Sequence, residues 1–473
     1  MVSSKELSCP ESSKPQNTCS VYFCKKRLWQ FSFIAVLFII VNLCFYAYSI
    51  PDKRFSNDSP GYIQPAKLLI TELRYDSPLR LPVYPAFIAI AMKLTNHYDV
   101  AVIIAQIILL LCSGILAVLI GEYYLKKISP LLFALVLFNT SLIISPHRIL
   151  PDTLFLFLFL SYCYFLIKSI QSNKLLNPVI CGIFATLLSL TRGNGFYLSL
   201  ITPVIILLCD YLRHRVIFTK RLILKPLLFF IVFLTTVSPW LLHNYKVNGR
   251  VGVNSQAYVD FAVHENLMRI EYLSHGVSKK QASDSIFKKA LELEGMSFAG
   301  NMGLKREEKH RLVASHVKEI ISMYPKKDIF VAGLKSMGFF YLDPSYKNFT
   351  GHLKIKSLHL DKSQLGNNLS LPLFFKALFS GSGLPFICYG SIVLFLVILR
   401  VLLVIGWILL VKQKKWSLAI CCTIIISYFT LTSGLIGYAR YRIPIEPILL
   451  ILAVYGLSCL NDIWRKNGQQ ETL

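Results

Sequence analysis

This sequence has little charge and less acid. Only 16% of its 473 residues are charged, where an ordinary soluble domain carries about 25%. The 25 acidic side chains are outnumbered by 50 basic ones. Cysteine is missing from the long stretch 243–383: three of the 12 cysteines fall in the N-terminal tail and nine in or beside apolar runs. That stretch therefore holds no disulfide framework. Also missing are a P-loop, a GxGxxG turn, a GxSxG elbow and any zinc-type spacing of Cys and His, so nucleotide binding has no support.

What the chain has in quantity is apolar surface: 54% hydrophobic residues and a mean hydropathy of +0.55. Several apolar runs approach the roughly 20 residues that cross a bilayer as a helix. The composition is that of an all-α polytopic membrane protein. A net charge of +25 does not point to nucleic acid, because much of the basic excess flanks apolar segments. Topology and anionic lipid headgroups account for it.

Residues 1–27, rich in Ser, Pro, Asn and Gln, read as a disordered cytoplasmic tail ending in Lys25-Lys26-Arg27. Ten spans are expected, at 28–50, 99–121, 128–145, 150–168, 178–191, 196–212, 222–242, 384–411, 416–436 and 443–463. With short or re-entrant segments such as 82–94, the count lies at about 10–12. The first run is too long, and lacks the small-residue cleavage site, for a signal peptide. The inner loops then carry Lys126-Lys127, Lys168 with Lys174, Arg213 to Arg215 with Lys220-Arg221, and Lys412 with Lys414-Lys415, all obeying the positive-inside rule.

The domains expected are a transmembrane catalytic module 28–242 with an outer loop 51–98 and interfacial helices, an extracytoplasmic domain 243–383, C-terminal helices 384–463 and a cytoplasmic tail 464–473. Within the outer domain, Ser278–Glu294, Lys305–Met323 and Lys326–Tyr341 show the three- and four-residue spacing of amphipathic helices.

Chemistry must come from polar residues on the outer edge. Asp58 is the only acid in Phe55–Tyr62, among turn-forming neighbours. Its bland reading is an Asx-turn; its functional reading is a general base reaching an acceptor hydroxyl. Asp152, after Pro151, suits a helix first turn, and orienting a neighbouring base is its second reading. Arg192 in Leu-Thr-Arg-Gly-Asn-Gly either snorkels or meets a ligand beside glycines that allow close approach. Gly437–Arg442 packs two arginines and two tyrosines before Pro444. Guanidinium forks suit phosphate, and tyrosine sits well at headgroup level. Arg148, His147 and His243 lie on the same edge; His147, Asp152 and His243 make a weak candidate metal set.

Asp58 with Tyr62 and Leu79–Phe87 (Leu-Arg-Leu-Pro-Val-Tyr-Pro-Ala-Phe) resembles the first outer loop of GT-C integral-membrane glycosyltransferases. The nearest likeness is to the glycosyltransferase-39-like and aminoarabinose-transferase-like group. Leu150-Pro-Asp152, Leu190-Thr-Arg192, Ser238–Asn244 (Ser-Pro-Trp-Leu-Leu-His-Asn) and Tyr438–Arg442 follow in that group's order, so the resemblance runs over about residues 28–463. It implies a polyprenyl-phosphate-linked sugar donor, a lipid, glycan or protein acceptor, and membrane lipids as partners, with no nucleic acid. It implies Asp58 as the base and inversion at the sugar; Asp152 is the second catalytic candidate, through its orienting role. Arg192, Arg440, Arg442, His243 and Arg80 would hold the donor phosphate, and Tyr62, Tyr84, Asn244, Tyr438 and Tyr441 would line the substrate. The group often has Arg where this chain has His243, which weakens that contact near neutral pH. No cofactor is required; a divalent metal is the unsupported variant. A bacterial inner membrane with a periplasmic site is the expected location. The alternatives are a lipid-glycan polymerase or ligase, a transporter of lipid-linked glycans, which would put its charges at the bilayer midplane, and a non-catalytic scaffold.

Overall fold

The computed structural model of the chain describes residues 25–75, 77, 79–125, 129–214, 220–249, 251–301, 303–345, 351–352 and 383–470. The tail before Lys25, the Lys126-Lys127 pair, Arg215 and residues 353–382 of the expected outer domain lie outside these. Among the described residues every regular element is helical. In chain order they are α1 (Lys25–Tyr48), a 3-10 turn (Pro51–Arg54), α2 (Pro60–Thr71), α3 (Val83–Leu94), α4 (Tyr98–Leu125), α5 (Pro130–Leu137), α6 (Thr140–Ile144) and a second 3-10 turn (Ser145–His147). Then come α7 (Asp152–Gln171), α8 (Leu176–Ser189), α9 (Asn194–His214), α10 (Lys220–Asn248), α11 (Gln256–Ser274), α12 (Lys279–Leu293), α13 (Phe298–Asn301), α14 (Arg306–Ser315), α15 (Val317–Ser322) and α16 (Lys326–Leu342). The chain closes with α17 (Gly383–Lys412), α18 (Trp416–Thr432), α19 (Ala439–Arg442) and α20 (Glu446–Gln470).

Seven of these helices are long and apolar enough to cross a membrane: α1, α4, α7, α9, α10, α17 and α20. The other three expected spans differ from the sequence reading. The run 128–145 is broken, its two halves meeting at 49°. The break falls at Asn139, whose side chain leaves the first helix and caps the second by accepting from the Ser141 amide at 3.0 Å. Counted as one span, the pair raises the total to eight. Helices α8 and α18 have 14 and 17 residues, about 21 and 25 Å of rise, short of a hydrocarbon core of about 30 Å. Even so, α8 runs back along α7, because Arg192 beyond its end meets Asp152 at the start of α7. A short helix here still returns the chain to the same end of the bundle.

The membrane core packs as one cluster, with the side chains of α7 buried on nearly every face. The last two long helices cross very closely. A methyl group added at Gly406 would sit 2.1 Å from the Leu452 carbonyl, and one at Gly456 would sit 2.3 Å from the Leu402 carbonyl. Backbone, not a movable side chain, fills both spaces.

Helices α11, α12 and α14–α16 build a second, smaller apolar cluster around Leu267, Ile270, Ile286, Val313, Ile320 and Ala332. Two of its three expected helices form within a residue of the expected bounds. The third is divided at His316 into α14 and α15. The sequence reading missed α11, which buries polar Asp260, His264, Arg269 and Glu271 along with its apolar residues and so shows no clean periodicity. Glu271 is the hub there, accepting from Lys289 Nζ at 2.6 Å and Tyr324 Oη at 2.7 Å.

Gly456→Val should therefore lower the thermal melting point of the detergent-purified protein strongly. Overpacking typically costs about 1–3 kcal/mol, and a clash with backbone lies at the upper end. An unchanged melting curve would mean that α17 and α20 are not packed this closely.

Candidate active site

The 55–62 loop is anchored before it is charged. Ser59 Oγ donates to the Ile149 carbonyl at 3.0 Å and accepts from the Ser56 amide at 2.9 Å. The Ile149 amide donates to the Arg54 carbonyl at 2.9 Å. These bonds fasten the loop to the turn leading into α7. The amide of Val83, starting α3, donates to the Leu190 carbonyl at 3.2 Å and fastens the Arg192 turn to the same place. Gln106 on α4 donates to the carbonyls of Pro146 and Arg148 at 2.9 and 3.0 Å, fixing the turn from below.

Four segments far apart in sequence then meet. Asp58 Oδ1 accepts from Arg80 Nη2 at 2.9 Å, and its Oδ2 accepts from Arg440 Nη1 at 2.8 Å. Arg440 also donates through Nε to Asp152 Oδ2 at 2.8 Å, so one guanidinium bridges the two carboxylates. Arg192 Nη1 lies 2.9 Å from the other oxygen of Asp152. Asp152 is nearly sealed, with 3% of its side chain exposed, whereas Asp58 is 41% exposed and sits at the mouth. Arg148 joins Arg440 and Asp152 in lining a small polar cavity of about 20 Å³ with Ser141, Ser145 and Ser345, room for about one water.

Two carboxylates thus face four guanidiniums. Partial burial pulls the Asp58 carboxyl upward, but the bonds and charges of Arg440 and Arg80 more than offset it, and its pKa lies below the ordinary value. Burial works against the Arg440 charge, yet Asp152, Tyr62 and Asp58 hold its pKa above the usual arginine range. Arg80 lies over the Tyr62 ring, 4.6 Å from its centroid, and donates to its hydroxyl at 3.2 Å. Gly61 leaves room beside this side chain: a methyl there would come 3.0 Å from Arg80 Nε. Tyr441 closes the side near Arg192, whose guanidinium is 5.6 Å from its centroid.

So the structure brings together Asp58, Asp152, Arg80, Arg192, Arg440, Tyr62 and Tyr441. It does not bring in the rest. Arg442 is fully buried and turned away. Its Nε donates to Glu446 Oε2 at 2.5 Å and its Nη2 to the Asp343 carbonyl at 3.0 Å, and it also bonds the Phe340 carbonyl. Two residues along a helix turn the side chain through about 200°, so Arg440 and Arg442 cannot serve the same ligand. Tyr84 is also fully buried and packs edge-on beneath Tyr62 with 5.2 Å between ring centroids, a support and not a lining group. Asn244 Nδ2 donates to the carbonyls of Gly252 and Val253, both at 2.7 Å. His243 stacks on Trp240, 5.1 Å between centroids. Trp240 in turn meets Tyr75, whose hydroxyl donates to the Arg80 carbonyl, so His243 stands behind the site wall. Tyr438 faces the smaller cluster, its hydroxyl accepting from Arg269 and Lys279, both at 2.7 Å. The glycine after Arg192 admits Asn254 closely instead of opening space for a ligand.

Among the described residues no three His, Cys, Asp or Glu side chains gather to hold a metal. His147 does not join Asp152 and His243; its Nε2 lies 3.0 Å from Asn42 Oδ1. The sequence reading missed Tyr75, and also Glu446 and Arg400, whose pair at 2.8 Å stands against Arg442. A glutamate opening an apolar run was the available signal for Glu446.

Residues 76–243 match the family model described as dolichyl-phosphate-mannose-protein mannosyltransferase. That segment contains Arg80, Arg148, Asp152 and Arg192, while Asp58 and Arg440 lie on either side of it. The solved archaeal oligosaccharyltransferase AglB from Archaeoglobus fulgidus, in complex with an inhibitory peptide and a dolichol-phosphate, shares the fold with a TM-score of 0.50 and 12% identity. An apo oligosaccharyltransferase from the same organism does so with a TM-score of 0.51 and 13% identity. Each alignment covers 94% of this chain and 52% of the other, so the chain spans about half the length of the archaeal proteins it matches. No curated protein matches by sequence. The match over this segment and the shared fold make the chain similar to membrane glycosyltransferases of the GT-C superfamily.

Arg442→Ala should destabilise the protein more than Arg80→Ala, read as melting temperature in detergent. Losing one partner of a buried charge group costs about 3–5 kcal/mol, whereas Arg80 pairs with a half-exposed carboxylate whose loss is partly screened. Equal melting points would place Arg442 at the mouth after all.

Proposed function

We propose that this chain transfers a sugar from a polyprenyl-phosphate-linked donor to an acceptor hydroxyl or amine, with inversion, at the non-cytosolic face of a membrane. The observation carrying this reading is the half-exposed Asp58 carboxylate at the rim of a cluster of four guanidiniums. An acceptor O–H delivered to Asp58 gives up its proton to the carboxylate as its oxygen bonds to the anomeric carbon. The bond from that carbon to the phosphate oxygen breaks on the opposite side, and the electron pair leaves with the polyprenyl phosphate.

Negative charge grows on that phosphate as the bond breaks, and fixed cations there lower the barrier. Arg440 and Arg80, the guanidiniums that bond Asp58, would supply them. Asp152, buried and bridged by Arg440 and Arg192, acts as their anchor. Without the buried carboxylate, like-charged guanidiniums would not stay packed together. The reaction needs no nucleotide site, because the activated sugar arrives on its carrier. It needs no metal in this reading: Arg440 already places a positive charge between the two carboxylates.

An apolar cavity of about 390 Å³ suits the isoprenoid tail. It lies between the broken span and α17, lined by Leu135, Phe138, Thr140, Ile392, Phe395 and Leu399. Asn139 and Thr140 wall this cavity, while Ser141, Ile144 and Ser145, the next residues of the same segment, wall the small polar cavity with Asp152 and Arg440. Tail and phosphate would thus lie on adjoining sides of α6. The smaller domain, joined to the site through Tyr438, would select the acceptor. A bacterial inner membrane with a periplasmic site fits this reading.

Asp58→Asn should cut sugar transfer by about 10²–10⁴-fold, the usual contribution of a general base, while the variant inserts and accumulates normally. Glycolipid and glycoconjugate mass spectrometry of a complemented deletion strain would read this. Full glycan levels would remove Asp58 from the mechanism, and a product gaining a whole glycan chain instead of one sugar would shift the assignment to a ligase.

A further inference from the structure

A general base needs basic lone pairs, and each oxygen of Asp58 already accepts a bond from a guanidinium that lowers its basicity. Oδ1 is held by Arg80 and Oδ2 by Arg440, at 2.9 and 2.8 Å. Charge-assisted bonds of this kind are the strong class of hydrogen bond. The same two guanidiniums are those placed to hold the departing phosphate. One pair of cations is therefore addressed by two anions.

We propose that the donor phosphate and the Asp58 carboxylate compete for Arg80 and Arg440, so that seating the phosphate releases Asp58 to act as base. This rests on the sugar-phosphate reading above and adds a coupling to it: the base becomes competent only when the leaving group is in place. The geometry favours Asp58 as the partner that yields. It is the exposed member of the cluster, on a loop, whereas Asp152 is sealed and keeps Arg192 and the Nε of Arg440. Arg440 presents different nitrogens to the two carboxylates, so it can exchange the Asp58 contact without letting go of Asp152. Arg80 keeps its place over Tyr62 through the ring and hydroxyl, whichever anion it holds.

Release also changes the proton affinity of the base. The groups facing Asp58 are Arg80 and Tyr62 from the α2 side, Arg440 from α19, and Asp152, Arg148 and Arg192 around the turn into α7 and α9. With two bonds to guanidinium its pKa is depressed. Once those bonds pass to a phosphate, the stabilisation is lost and a second anion stands nearby, and both effects raise it. Idle Asp58 is a weak base, and donor-bound Asp58 a stronger one.

The test is binding, independent of any sugar transfer, on the full-length protein in detergent or nanodiscs. For wild type and Asp58→Asn, the affinity for farnesyl monophosphate is measured by calorimetry at neutral pH. Removing the competing carboxylate should tighten binding by about tenfold, the size of one charge-assisted bond. A second readout uses wild type alone. Farnesyl sulfate keeps a single charge, so any change in its affinity between about pH 3 and pH 6, the range around an ordinary carboxyl, reports protein groups. Because the ligand raises the Asp58 pKa, binding takes up protons, and affinity should strengthen as pH falls through the raised value. In Asp58→Asn that part of the pH dependence should vanish.

Equal or weaker phosphate binding by a normally melting Asp58→Asn protein would overturn the exchange. If the variant fails to fold, sulfate binding by wild type that does not change with pH would do the same. If neither probe binds wild type or variant, the phosphate site itself is wrong and the proposed function falls with it.

Discussion

The structure depends on one arrangement of charge: a guanidinium, Arg440, held between two carboxylates at one end of a helix bundle. Buried ions are stable only when paired and hydrogen-bonded. Asp152, sealed at the head of α7, needs a cation, and it has two. Arg440 needs anions, and it reaches both Asp58 and Asp152. This mutual requirement ties the first loop, the α7 start, the turn before α9 and the final hairpin into one unit. Contacts 382 and 288 residues apart in sequence are satisfied by one side chain.

A second charge group sits beside the first and is easily confused with it. Arg442, Glu446 and Arg400 form a buried cluster that grips the C-terminal carbonyls of α16 through Arg442. Its work is mechanical: it docks the smaller helical domain onto the membrane core two residues from Arg440. The Tyr438 hydroxyl does the same from the opposite direction, accepting from Arg269 and Lys279. Burial lifts the Tyr438 pKa, but the two cations outweigh it and leave it below the ordinary tyrosine value. The short segment 438–442 therefore carries alternate residues to separate tasks, site and scaffold.

The proposed sugar transfer gives this charge arrangement a purpose. In that proposal a lipid carrier keeps the activated sugar at the bilayer surface, so the reacting groups need to lie only where helices end. Loops between spans supply them, and long apolar helices supply their rigidity. The two cavities on either side of α6 repeat the division, one polar beside Asp152 and one apolar beside α17.

Much of this was legible without coordinates. The apolar runs and the placement of Asp58, Asp152, Arg192 and Arg440 at run ends follow from composition and position, because a bilayer forces backbone polar groups into helices and charges to the helix ends. Hydropathy could not show that the run 128–145 breaks at Asn139, since a capping side chain competes with helix continuation only when a partner such as Glu446 waits for it. Nor could it separate Arg440 from Arg442, or tell Tyr62 in the wall from Tyr84 beneath it. Sequence fixes which residue types stand at an edge; the direction in which each points depends on helix phase and on partners hundreds of residues away, and only the packed chain decides that.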